Sequence, residues 1–174
     1  VHTLSNPVAY IQTSAPAYLL HTTGFGCEVG GALLPTIECT GSSSVSFVRS
    51  TNEFFALNII VQTGGQGNFT LNGNAALVSA GAFSPVPGSN GAWMYAQIDL
   101  SGQVPVGMAS RLTNSSHLFH MGIVHGGASS GCRYGYFSDY NTFEHNITST
   151  QDTVCEGDPF LLQTDRINGA TYQW

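Results

Sequence analysis

The sequence contains no lysine. Arg49, Arg111, Arg133 and Arg166 are its whole basic complement, and charged residues make up only 8% of the 174, against about 25% in an ordinary soluble domain. The formal net charge is −6. With no basic patch, the chain lacks the means to neutralise phosphates, which argues against nucleic acid and anionic membrane surfaces as partners. No apolar run approaches the roughly 20 residues of a membrane-spanning helix, so no membrane insertion is expected. A C-x-x-C pair is also missing, which removes the common zinc and thioredoxin spacings. No D-x-D-x-D calcium loop occurs; the nearest approach is the scatter of Asp152, Glu156 and Asp158. No metal and no cofactor are therefore expected. The chain opens at Val1 without a basic stretch followed by an apolar one, which reads as a processed terminus or as the start of the visible part of a longer protein.

Helical periodicity is equally scarce. Gly or Pro interrupts most windows of ten, and none sustains apolar residues at i, i+3, i+4 and i+7. Short β-branched and aromatic runs are present instead, at Val8–Thr13, Ala17–Thr22, Ser44–Arg49, Phe54–Thr63, Asn68–Leu71, Ala75–Ser79, Ala92–Leu100, Gly107–Leu112, Leu118–His125 and Arg133–Ser138. Strands spaced this regularly predict an all-β fold, an antiparallel β-sandwich of jelly-roll or Ig-like type. Phe54–Thr63 is almost continuously apolar and reads as a central strand. Asn72-Gly73 predicts a hairpin between Asn68–Leu71 and Ala75–Ser79. A polar stretch at 146–151 predicts a boundary: residues 1–150 form the sandwich, and residues 151–174 open a second, truncated Ig-like module. Cys155 and Trp174 stand as the first strands of such a sandwich would place them.

Chemistry-bearing patterns are few. Gly127-Ala128-Ser129-Ser130-Gly131 spells G-x-S-x-G, with Asp139 and His145 following in hydrolase order. The residues after Gly131 have no helical period, so a Gly/Ser hairpin loop is the expected structure. His117, His120 and His125 read as surface or capping histidines, because on a strand they fall on alternate faces and span up to about 26 Å. The aromatics Trp93, Tyr95, Tyr134 and Tyr136 are candidate ligand-facing residues, although aromatics at such spacing are more often core or cross-strand pairs. Four cysteines in a Ser/Thr/Asn-rich chain favour an oxidising compartment, and Cys27 and Cys39 are expected to form a loop-closing disulfide. Sequons for N-glycosylation start at Asn68, Asn114 and Asn146.

Two blocks, GGALLPTIECTGSSSVSFVRSTNEFFALNIIVQTGGQGNFTLNG and FHMGIVHGGASSGCRYGYFSDY, resemble the IgG Fc-binding protein N-terminal domain family, in the bacterial branch found in large surface proteins of Bacteroidota. The tail DTVCEGDPFLL…ATYQW resembles the Ig-like or PKD-like modules of gliding-associated and adhesin-like proteins exported by type IX secretion. The resemblance implies a non-enzymatic, extracellular, cell-surface module that supplies no catalytic set. Its implied partners are surface glycans or proteins, neighbouring Ig-like domains of the same chain, and other copies of itself in a filament. It does not by itself imply Fc binding. Asp152-Thr153-Val154 fits the O-glycosylation pattern of such bacteria and makes Thr153 a candidate glycan site. The alternative function is a carbohydrate-binding module using exposed aromatics.

Overall fold

The structure, a computed structural model, describes residues 3–4, 6–38, 40–137, 148–149 and 162–163. The chain divides into two compact units, Val1–Asp139 and Tyr140–Trp174. In the second unit the described residues are one short antiparallel pairing of Thr148–Ser149 with Leu162–Gln163. The expected Ig-like opening at 151–174 otherwise lies outside the described residues.

The first unit is an all-β antiparallel sandwich. Its strands in chain order are β1 (Leu19–Phe25), β2 (Glu28–Leu34), β3 (Ser44–Val48), β4 (Phe54–Gln62), β5 (Phe69–Leu71), β6 (Ser84–Pro85), β7 (Trp93–Asp99), β8 (Ala109–Asn114), β9 (Phe119–Gly127) and β10 (Gly131–Phe137). They form a five-stranded sheet in the order β10-β9-β4-β7-β6, a three-stranded sheet in the order β3-β8-β5, and a separate two-stranded hairpin, β1-β2.

Alternation of side chains decides which face of each strand is buried. On β4, Phe55, Leu57, Ile59 and Val61 are completely buried. Their neighbours across the ladder, Met121 opposite Ile59 and Ile123 opposite Leu57, point the same way. The three-stranded sheet answers with Val45, Phe47, Phe69, Leu71 and Leu112, and these residues share one core with β4 and β9. Aromatic pairs tie the layers together: Phe47 stacks on Phe55 at 5.6 Å, and Phe69 meets Phe119 edge-on at 5.1 Å. Each such ring contributes about 2–3 kcal/mol by leaving water. The central position of β4 matches its continuous apolar run. Among the described residues, nothing before Val45 belongs to this core.

Three local expectations differ from the structure. Asn72 and Gly73 do make the tight turn, with φ of 52° and 80°. The residues after it, Ala75–Val78, form a 3₁₀ turn capped by the Asn74 side chain, which accepts from the Ala76 N–H, instead of a strand. Val8–Thr13 carries no strand. Conversely, Glu28–Leu34 is a strand despite Gly30 and Gly31, because its pairing with β1 supplies what its propensity lacks.

Candidate functional site

The outer face of the five-stranded sheet gathers all four candidate aromatics. Trp93 and Tyr95 lie on β7 opposite Gln62 and Ile60 of β4. Tyr134 and Tyr136 lie on β10 opposite Val124 and Gly122 of β9. Gly122 has a packing role here: a Cβ at that position would stand 3.2 Å from Tyr134 Cε2, so the absent side chain lets the phenol ring lie across the strand. The four residues are not an open platform. Trp93 is buried, with 7% of its surface exposed, and the three tyrosines are half-buried.

Part of this face has a lid. On the inner side of the β1-β2 hairpin, a Cβ on Gly30 would fall 2.7 Å from Tyr134 Cβ and 3.1 Å from its backbone nitrogen, so only glycine permits that approach. His21 Nδ1 and the Tyr134 hydroxyl share a hydrogen bond of 2.8 Å, with the two rings edge-on at 5.2 Å. Burial holds the His21 imidazole below its ordinary pKa.

His120 sits within the same face, opposite Ile60. Its ring lies 6.4 Å from Trp93 and 6.0 Å from Tyr136. Only 1% of the residue is exposed, and among the described residues neither ring nitrogen has a hydrogen-bond partner. Burial pushes its pKa down to about 4; the backbone at Ile37 and Thr40, which faces the ring, favours the proton but closes no hydrogen bond on it. The expected surface or capping role therefore does not describe His120. A period-2 pattern places it off the core face, where Trp93, Tyr136 and the backbone at Ile37 and Thr40 surround it.

His125, five residues on, does cap. Its Nδ1 stands 2.9 Å from the Phe54 carbonyl oxygen. A carbonyl can only accept, so this bond places the proton on Nδ1 and leaves Nε2 an acceptor. Nε2 then receives the Ser50 hydroxyl at 3.1 Å and the Thr51 N–H at 3.3 Å. The Thr51 hydroxyl donates instead to Glu53 Oε2 at 2.5 Å. Glu53 also accepts from the Ser130 hydroxyl and pairs with Arg133 at 3.0 Å. The Ser130 and Thr51 hydroxyls, then the Arg133 guanidinium, hold the Glu53 carboxyl down to about 2.

A hydroxyl, an imidazole and an orienting carbonyl in line have the outline of a nucleophile and its base. The imidazole is committed elsewhere: taking a proton at Nε2 would break the Thr51 N–H bond and turn two donors toward each other. In the G-x-S-x-G stretch, Gly127–Gly131 is the β9-β10 turn, with no helix following it. Among the described residues no hydrogen bond joins Ser129 to a histidine; Ser130 is the serine with a partner, and that partner is Glu53. Asp139 and His145 lie outside the described residues.

Cys27 is exposed at the β1-β2 turn and makes no disulfide among the described residues. A Cβ on its neighbour Gly26 would lie 3.8 Å from Ala128, just past the end of β9, whereas one on Gly41 would lie 3.1 Å from Leu118, just before its start. Cys39, the other half of the expected Cys27–Cys39 link, lies outside the described residues. So do Thr153, Asn146, Asp152, Glu156 and Asp158. Among the described residues, no group of three or more His, Cys, Asp or Glu side chains is placed to hold a metal ion.

Of the sequons, Asn68 is exposed, but Asn114 is not a surface residue. Its Nδ2 donates to the Gly65 carbonyl at 2.8 Å, and its Oδ1 accepts from the Ser116 and His117 N–H groups at 3.0 and 2.9 Å. An Asn114→Ala variant leaves those buried groups unpaired and is expected to cost about 2–3 kcal/mol in urea unfolding. Asn68→Ala, which loses an exposed bond to Ser116, should cost well under half as much.

The site and fold define a charge-poor β-sandwich with a histidine-containing aromatic face. Comparison of the chain with family models, curated proteins and solved structures finds no match.

Proposed function

We propose that the chain is a non-enzymatic module of a large extracellular, cell-surface protein, acting in attachment or in assembly with neighbouring modules or copies. The observation that carries this reading is the outward side of the β1-β2 hairpin. Leu20, Val29 and Leu33 project there with 61%, 65% and 55% of their surface exposed, and Leu20 and Leu33 are direct cross-strand partners. Apolar side chains displayed in register on a hairpin suit contact with another protein surface. Low charge supports the same reading, because little Coulomb repulsion opposes close approach. The commitment of His125 to a turn cap supports a non-enzymatic role. The sequence resemblance to surface-protein modules of the IgG Fc-binding N-terminal type points in the same direction, and with it come an exported location and a glycan on Thr153.

The test is attachment. Beads carrying the protein should adhere to cells of its source, and the L20S/L33S double variant should weaken adhesion about tenfold or more while keeping its Tm. Wild-type adhesion at background, or equal adhesion of the variant, would reject the hairpin as the contact. A second reading, glycan binding through Tyr95, Tyr134 and Tyr136, draws on their shared face. It predicts quenching or enhancement of tryptophan fluorescence by oligosaccharides, lost in Tyr95→Ala.

A further inference from the structure

Three features of the first 41 residues belong together. Their two strands pair only with each other and form a sheet of their own. No described side chain among them enters the hydrophobic core. Contacts between them and the sandwich include His21 with Tyr134 at 2.8 Å, Phe25 with Phe54 at 5.5 Å, and the Cys132 thiol donating to the Thr23 carbonyl at 3.6 Å. To these are added the seat of Gly30 on Tyr134 and the backbone bridge from Ser42 to Phe119. A segment whose described side chains stay outside the core opens at a lower free energy than the core sheets do.

Two imidazoles lie in the seam between this segment and the sheet. The groups facing His120 are Trp93 from β7, Tyr136 from β10, Ile60 beside it on β4, and the backbone of Ile37 and Thr40 above. His21 faces Tyr134, with Cys132 and Glu28 further along the seam on β10 and β2. Among the described residues the one ion pair is Glu53–Arg133, so no carboxylate meets either ring. A proton added to His120 would be a buried charge with no counter-charge among the described residues.

We propose that the β1-β2 hairpin, together with Ile37 and Thr40 beyond it, is an acid-released cover over the aromatic face of the five-stranded sheet. Above pH 6.5 both imidazoles are neutral and the cover stays seated. The folded-state pKa of His120 lies below its ordinary value, so the closed state loses stability as pH falls from 6.5 toward 4, and the loss levels off below that. Opening gives His120 water and a proton, and it uncovers Trp93, Tyr134 and Tyr136 without breaking the core. This device is separate from the attachment role, and its failure would leave that role standing.

Amide hydrogen exchange on the whole chain, corrected for intrinsic rate, tests it. Between pH 7.5 and 4.5, protection of residues 19–34 should fall roughly fifty-fold relative to β4, with β4 and β9 remaining protected. His120→Phe, which keeps a ring between Trp93 and Tyr136 but cannot titrate, should remove most of that fall. Gly30→Ala, which crowds the seat, should open the hairpin already at pH 7.5. Unchanged relative protection of 19–34 at pH 4.5, or its loss only together with β4, would overturn the proposal whatever the variants do.

Discussion

Arg49→Ala is expected to cost about 3–5 kcal/mol, enough to lower the Tm by about 10 °C or more. Arg49 is 4% exposed and has no ion-pair partner among the described residues. Its guanidinium is used as a fork of donors. Nη1 donates to the Ser101 and Val104 carbonyls, the latter at 3.1 Å, and Nη2 donates to Asn52 Oδ1 at 3.1 Å and to the Glu53 carbonyl at 2.6 Å. One side chain thus ties the turn after β3 to the loop between β7 and β8. Its removal strands several backbone acceptors, each a desolvation cost of about 1–3 kcal/mol when left unpaired. Asp99 stands near enough for the guanidinium charge to lower its pKa, although the Ser101 hydroxyl and N–H lower it more. Arg49→Lys should recover only part of the loss, because an ammonium cannot reproduce the planar fork. A loss in Arg49→Ala below about 1 kcal/mol would mean that water replaces the guanidinium at no cost, and that the two loops hold themselves in place.

Gly126→Ala is the second large effect, with an expected loss of about 3 kcal/mol or more in urea unfolding. Gly126 has φ of 132°, a region closed to L side chains, and a Cβ there would lie 2.0 Å from the Gly131 carbonyl oxygen. The neighbour is backbone, so no rotamer change relieves the clash. The β9-β10 turn must shift, and with it the Ser130–Glu53 bond and the Arg133–Glu53 pair. Gly81→Ala is the control: its Cβ would meet nothing within 4 Å and its φ is not positive. It should be neutral or slightly stabilising. Equal stability of the two variants would show that the β9-β10 turn tolerates another conformation.

β4 could be read from FFALNIIVQ because both its neighbours and its core face demand apolar residues. The turns at Asn72-Gly73 and at Gly127–Gly131 could be read because positive φ restricts which residues fit. Trp93 and the tyrosines could be placed on one face by period-2 alternation, but alternation does not reveal what covers a face. The β1-β2 hairpin escaped for that reason: Gly30 and Gly31 look like a loop in sequence, yet Gly30 is there so that β2 can lie against Tyr134. His120 escaped with it, since the backbone that faces its ring, at Ile37 and Thr40, lies eighty or more positions earlier in the chain. The His125 cap was equally hidden, because Ser50, Thr51 and Phe54 carry no motif linking them to a histidine on β9. The G-x-S-x-G match misled in the opposite direction, supplying a pattern without the strand-turn-helix that gives it meaning.

The central claim, that this sandwich is displayed outside the cell, is tested most directly by protease shaving of intact source cells followed by mass spectrometry of the released peptides. The account predicts peptides from residues 1–139 in the supernatant while cytoplasmic markers stay inside. Peptides of this chain recovered only after lysis would contradict it, and the attachment function would fall with it.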